Sequence, residues 1–182
     1  MVKFISRVDV KEISKEEVFF VDTNVLLAVH FVSSSSWTVE KVAQYAKFIL
    51  GLFNNGNKIC VSALNLQELC HTFENNEYQQ YKIVNNKDDS FTKKKYRNIA
   101  EERQRLAKDL NDKHLEISEQ YSVINGNVSN EMIKHFIEDY TEHFYDPVDF
   151  ITVNYNSNGI TNFITDDSDF KRDSRLTIYT YG

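Results

Sequence analysis

Val18-Phe-Phe-Val-Asp22-Thr-Asn-Val-Leu-Leu27 constrains the fold more than any other stretch. Four apolar residues run straight into an aspartate, a threonine and an asparagine, after which the apolar character resumes. A short run of Val and Phe is the pattern of a buried strand. Asp22 then stands where that strand stops, with Thr23 and Asn24 in the following turn. In open parallel sheets, ligands bind at the carboxyl ends of strands, so a carboxylate there is placed for chemistry. An Asp-Thr turn also ends many strands that do no chemistry, so the rest of the chain must decide.

Five further segments carry strong local signals. Thr38 caps a helix, with Glu40 in its first turn. Val42, Tyr45, Ala46, Ile49, Leu50 and Phe53 form its buried stripe, and Asn54-Asn-Gly56-Asn closes it. Lys58 to Ser62 is a second strand. The helix after it carries Leu66, Leu69, Cys70 and Phe73 on one face, which places Cys70 in the core and Glu68 on the polar side with Asn65 and Thr72. Thr161 to Thr165 is another strand, running into Asp166-Asp-Ser-Asp169-Phe170, and a last strand lies within Arg175 to Tyr181. Strands alternating with helices imply βαβ units and a mainly parallel sheet in an α/β domain.

Other segments are read from weaker signals. Residues 1–17 are a mixed, charged N-terminal extension, either a short extra strand or an arm, with no assigned role, leaving a single domain over 18–182. A long charged helical segment runs from Phe91 to Tyr121 within a region, 85–121, rich in Lys and Arg. It is either a solvated helix laced with ion pairs or a basic face that guides a polyanion. Ser122 to Asn127 reads as a turn. Ser129 caps a helix with Met132, Ile133, Phe136, Ile137, Tyr140 and Phe144 facing inward, and Asp146-Pro147 starts another that has Asp149 in its first turn.

Composition narrows the function. The chain has 182 residues with 41% hydrophobic content, enough for one well-buried domain. No stretch approaches a membrane span, no signal-peptide pattern opens the chain, and two cysteines suit a reducing cytoplasm. A net charge of −6 argues against general affinity for phosphate backbones. It is compatible with clustered carboxylates that hold a divalent cation. Acidic or polar turns end three strands, at Asp22, at the Glu68 helix and at Asp166–Asp169. Converging carboxylates raise each other's pKa values unless a cation lies among them. Oxygen donors without His or Cys select Mg²⁺ or Mn²⁺ over Zn²⁺ and point to phosphoryl chemistry. The five histidines show no zinc spacing, and the chain has neither a phosphate-binding nor a dinucleotide glycine fingerprint.

The array resembles a PIN domain, a family of metal-dependent ribonucleases that includes the VapC-type toxins. The matching pieces are Val21 to Leu26, Ser62 to Glu68, Asp149 to Thr152, and Phe163 to Phe170, in the family's order over residues 18–181. The resemblance implies a three-layer α/β/α fold with a mainly parallel central sheet and hydrolysis of RNA. It implies that Asp22, Glu68, Asp149 and Asp167 ligate Mg²⁺ or Mn²⁺, with Asp169 in support and Asp166 as the filler between motif acids. Thr165 and Asn24 would orient the carboxylates or the attacking water. An antitoxin or other protein partner, and a homodimer, belong to the same expectation. The segment 85–121 is longer than compact toxins need. Two rival readings remain. A silent module would bind RNA or protein through the same fold. A haloacid-dehalogenase-like phosphatase would need a second Asp where Asn24 stands.

Overall fold

The computed structural model describes residues 1–31, 37–124, 134 and 159–182. Six strands form one sheet: β1 (Val2–Phe4), β2 (Val18–Val21), β3 (Lys58–Ser62), β4 (Ser122–Ile124), β5 (Asn162–Ile164) and β6 (Thr177–Thr180). Their order is β1-β6-β5-β2-β3-β4, and every neighbouring pair is parallel. The helices are α1 (Thr23–His30), α2 (Val39–Asn55), α3 (Ala63–Val84), α4 (Lys93–Arg97) and α5 (Ala100–Gln120). The fold is a three-layer α/β/α arrangement around this sheet.

Alternation along the strands feeds two cores. Phe19, Val21, Ile59, Val61, Ile164 and Tyr179 face the described helices, where Tyr45, Phe48, Leu52, Leu69 and Phe73 meet them. Phe20, Cys60, Phe163 and Ile178 point to the opposite face and pack with Ile160, Phe170 and Leu176. Strands buried on both faces explain why β2 reads as an unbroken apolar run.

Helix α2 begins and ends where its residues dictate. The Thr38 hydroxyl accepts from the Lys41 amide at 3.3 Å, and Gly56 closes the helix in the left-handed region at φ 90°. Both termini match the sequence reading.

Of the two readings of the N-terminal segment, the short extra strand holds: β1 pairs with β6, and Ile5 and Ile13 lie in the main core. Three other features differ from the sequence reading. The 91–121 helix is two helices, because Ile99 takes an extended conformation and turns its side chain against the core. Ser122 to Ile124 is an edge strand beside β3 rather than a turn; the three-residue strand is too short to show a period. Cys70 is exposed rather than in the core. The helices expected at 129–144 and after Pro147, with Asp149, lie outside the described residues.

The topology fixes where a site can form. From β2 the chain steps to β3 and β4 on one side, then returns to β5 on the other side of β2. The crevice between the carboxyl ends of β2 and β5 is therefore the switch point of the sheet, the place where open α/β folds bind ligands.

Removing residues 1–17 should strip the edge strand and expose the surface that Ile5 and Ile13 cover. Two buried isoleucines correspond to about 4 kcal/mol. A chain starting at Val18 should melt well below the full chain or fail to stay in solution; an unchanged Tm would show that the segment is dispensable.

Candidate metal centre

Register brings the first acid to the switch point. Val21 pairs with Ile164, and the Asp22 amide then donates to the Ile164 carbonyl at 3.0 Å. Asp22 is the N-cap residue of α1, and its carbonyl accepts from the Val25 and Leu26 amides. Its side chain is 3% exposed. The Thr165 hydroxyl, at the end of β5, donates to Asp22 Oδ2 at 2.8 Å and accepts from the Asp167 amide at 3.0 Å. One threonine thus ties the first acid to the backbone that carries another.

Glu68 arrives by a different route. Ser62 caps α3, and the Asn65 side chain returns to the Ser62 backbone amide at 3.3 Å, a reciprocal cap. The Ser62 hydroxyl also bonds Asn65 Oδ1. Asn65 Nδ2 then donates to the Thr23 hydroxyl at 2.9 Å, and Thr23 donates to Glu68 Oε2 at 2.6 Å. The polar side of α3 in its first two turns faces the start of α1, not solvent. Asn65 is fully buried there and Glu68 is half-buried. Ser62, Asn65 and Thr23 were not singled out as site residues from sequence, although Ser62 followed three residues later by Asn65 is a readable capping signal.

Asp166 turns the other way. Its carboxylate is held by the Lys41 ammonium, by the Tyr45 hydroxyl at 3.1 Å and by the Thr180 hydroxyl at 3.4 Å. Tyr45 also donates toward the Thr165 carbonyl at 3.2 Å and accepts from the Tyr181 amide at 3.0 Å. Lys41 is thereby committed to Asp166 and does not neutralise the Asp22 group. Tyr45, counted from its spacing as part of an apolar stripe, spends its ring in the core and its hydroxyl on this loop.

The electrostatics follow from burial. Asp22 is pushed up to about 7 from an ordinary 3.8. Burial is the largest cause, and the negative charges of Glu68 and Asp167 add to it. The Thr165 hydroxyl and the Asn24 amide oppose it by favouring the ionised form.

The structure therefore brings Asp22, Glu68, Asp167 and Thr165 to one crevice. Asn24 lies beside them in the first turn of α1 with its side chain exposed. Asp169 begins a 3-10 turn three residues after Asp166, and its side chain, like Asp149, lies outside what is described. Among the described residues no three Asp, Glu, His or Cys side chains stand close enough together to hold a metal ion. The described donors fit a hard divalent cation in chemistry, being carboxylates with one deeply buried member. They do not by themselves complete its coordination.

No family model matches the sequence, and no curated protein matches it. Among solved structures, the chain is similar to the crystal structure of VapBC2 from Rickettsia felis bound to a DNA fragment from their promoter. The match covers 91% of this chain and 99% of that one, with a TM-score of 0.52 and 16% identity. What the two share at that identity is the fold, a PIN-like α/β/α architecture.

Proposed function

We propose that the chain is a Mg²⁺- or Mn²⁺-dependent ribonuclease of the PIN type, hydrolysing RNA phosphodiester bonds at the β2–β5 crevice. The observation that carries this reading is the buried Asp22 carboxyl facing the charges of Glu68 and Asp167. A buried carboxyl that feels the charges of two other acids opposes folding unless the group serves a ligand of opposite charge. Asp22, Glu68 and Asp167 would hold the cation, with Asp149 completing the set and Asp169 in support. When bound, such a cation supplies Lewis-acid stabilisation of charge on phosphoryl oxygens and lowers the pKa of water.

The chain's own residues do the rest. Thr165 donates to Asp22 and fixes its carboxyl, and Thr23, backed by Asn65, does the same for Glu68. Asn24, exposed at the first turn of α1, offers an amide toward the substrate phosphate or the attacking water. The structural likeness to VapBC2 supports a protein partner of antitoxin type for this chain, and a homodimer is part of the same reading. Among the described residues no helix is long and apolar enough to cross a membrane.

Asp22 also makes a pH prediction for the metal-free protein. Its folded pKa lies above its unfolded value, so the neutral form favours the folded state. Its contribution is fully present below about pH 4 and is lost as pH rises through about 7. A three-unit shift corresponds to about 4 kcal/mol. In EDTA, Asp22→Asn should raise Tm at pH 8 and leave it nearly unchanged at pH 4; equal effects at both would remove the electrostatic account.

Millimolar Mn²⁺ should raise the wild-type Tm by several degrees, an effect absent in Asp22→Asn. On total RNA with Mg²⁺ or Mn²⁺, wild type should cleave to 5′-phosphate products and Asp167→Asn should lose at least about 100-fold in rate. RNA binding without cleavage would favour the silent module, and release of phosphate from monoesters the phosphatase.

A further inference from the structure

We propose that Asn65 is a positioning residue for Glu68: its side-chain amide sets the direction of the Thr23 hydroxyl, so that the hydroxyl proton is delivered to the Glu68 carboxylate and fixes that acid for a cation. This rests on the ribonuclease reading for the cation that Glu68 would serve.

The direction follows from which atoms can donate. The Ser62 backbone amide is a donor only, and it meets the Asn65 side chain at 3.3 Å, so the atom it meets is the acceptor Oδ1. The Ser62 hydroxyl donates to the same oxygen and accepts from the Asn65 backbone amide at 3.1 Å. Nδ2 is thereby turned to Thr23, at 2.9 Å. A side-chain amide nitrogen donates and does not accept, so Thr23 Oγ1 is the acceptor of that bond. The hydroxyl has one proton of its own, and it goes to Glu68 Oε2 at 2.6 Å. Ser62 and Asn65 are fully buried and Thr23 is 3% exposed, which keeps bulk water from reordering the line. Each link therefore points one way, from Ser62 through Asn65 and Thr23 to Glu68.

Capping α3 does not require this arrangement. The reciprocal cap with Ser62 uses only an acceptor on residue 65. A carboxylate there would supply the acceptor and would also suit the positive end of the helix. It would, however, turn an acceptor towards Thr23 and place a further negative charge one hydroxyl away from Glu68. The amide caps α3 through its oxygen and orders Thr23 through its nitrogen. Asn65 and Glu68 stand three positions apart on one side of α3, and Thr23 directly follows Asp22 at the start of α1. One line of hydrogen bonds thus ties the helix of the second acid to the helix that the first acid begins. Partners that fix the side chains around a metal ion typically change its affinity about 10- to 100-fold when they are lost.

The test is Mn²⁺ uptake by the full-length chain without RNA, measured by calorimetric titration, with Tm in EDTA confirming that each variant folds. Asn65→Asp keeps the shape of the side chain and the acceptor that caps α3, and removes the donor to Thr23. It should weaken Mn²⁺ binding about 10- to 100-fold, against the attraction that its added charge would itself exert. In the background of Thr23→Val, which has no hydroxyl to direct, Asn65→Asp should weaken binding no further. Thr23→Val alone should bind as weakly as Asn65→Asp, and Thr23→Ser, which keeps the hydroxyl, should bind close to wild type. If Asn65→Asp does not fold, Asn65→Leu removes the donor without adding charge and enters the same two backgrounds.

Weakening of equal size with and without the Thr23 hydroxyl would mark a general packing defect and overturn the proposal. Wild-type or tighter affinity in Asn65→Asp, or wild-type affinity in Thr23→Val, would do the same; each of these leaves the metal reading standing. A wild-type chain that takes up neither Mn²⁺ nor Mg²⁺ has no cation for Glu68 to serve, and the nuclease reading and this role fall together.

Discussion

The buried carboxyl of Asp22 is the constraint around which the described structure is arranged. It sits at the carboxyl end of a central strand, at the switch point of the sheet and at the start of a helix. Burial there drives it towards neutrality, and the two nearest acids push in the same direction. Such a group is stable only because its surroundings are specified in detail. Thr165 donates to it, the α1 amides lie beside it, and the strand register leaves its position no freedom. A carboxyl poised near neutral pH switches charge state when a cation or a proton arrives, which a solvated surface aspartate does not do.

Rigidity is delivered by uncharged side chains more than by ion pairs. Ser62, Asn65 and Thr23 form a line of hydrogen bonds from the cap of α3 to Glu68, locking α3 against α1 where their acids meet. Hydroxyls and an amide satisfy one another here without adding charge to a crevice that already carries too much of one sign. On the other flank, Lys41 is kept on Asp166 and away from Asp22, with Tyr45 and Thr180 sharing the load. One lysine displaced into the crevice would neutralise the group.

Sequence reasoning reached the parts of this that depend on local pattern. The β2 run, the Thr38 cap, the Gly56 stop and the acid-rich turn after β5 each carry a signal within a few residues. It failed where a residue's role is set by something distant in sequence. Residues 1–17 gave no period, because their strand is three residues long and its partner is β6, more than 170 residues away. The break between α4 and α5 depends on Ile99 finding the core, which helical propensity does not register. On α3 the buried line runs through Asn65, Leu69 and Phe73, so Cys70, one position round from Leu69, falls outside it and is exposed, while the polar side at Asn65 is covered by α1, a partner the local pattern does not show.

The charged region 85–121 shows how pairing decides what a run of like residues means. Counted along the chain, Lys93, Lys95, Arg97 and Arg105 look like a basic face. In space Glu74 and Glu77 on α3 stand opposite them, and Glu74 is held down at about 2 by Arg97 and Lys93. The segment also ends in a buried polar contact. Glu116 on α5 and Tyr121 at its end hold the two nitrogens of His30 at 2.9 and 3.0 Å. Burial pushes His30 below its ordinary pKa, so the ring is neutral, donating from Nδ1 to Glu116 and accepting at Nε2 from Tyr121. His30 ends the helix that Asp22 begins. The charged hairpin of α3, α4 and α5 is therefore fastened to both ends of α1, at Glu68 and at His30, and its ion pairs serve to brace the crevice.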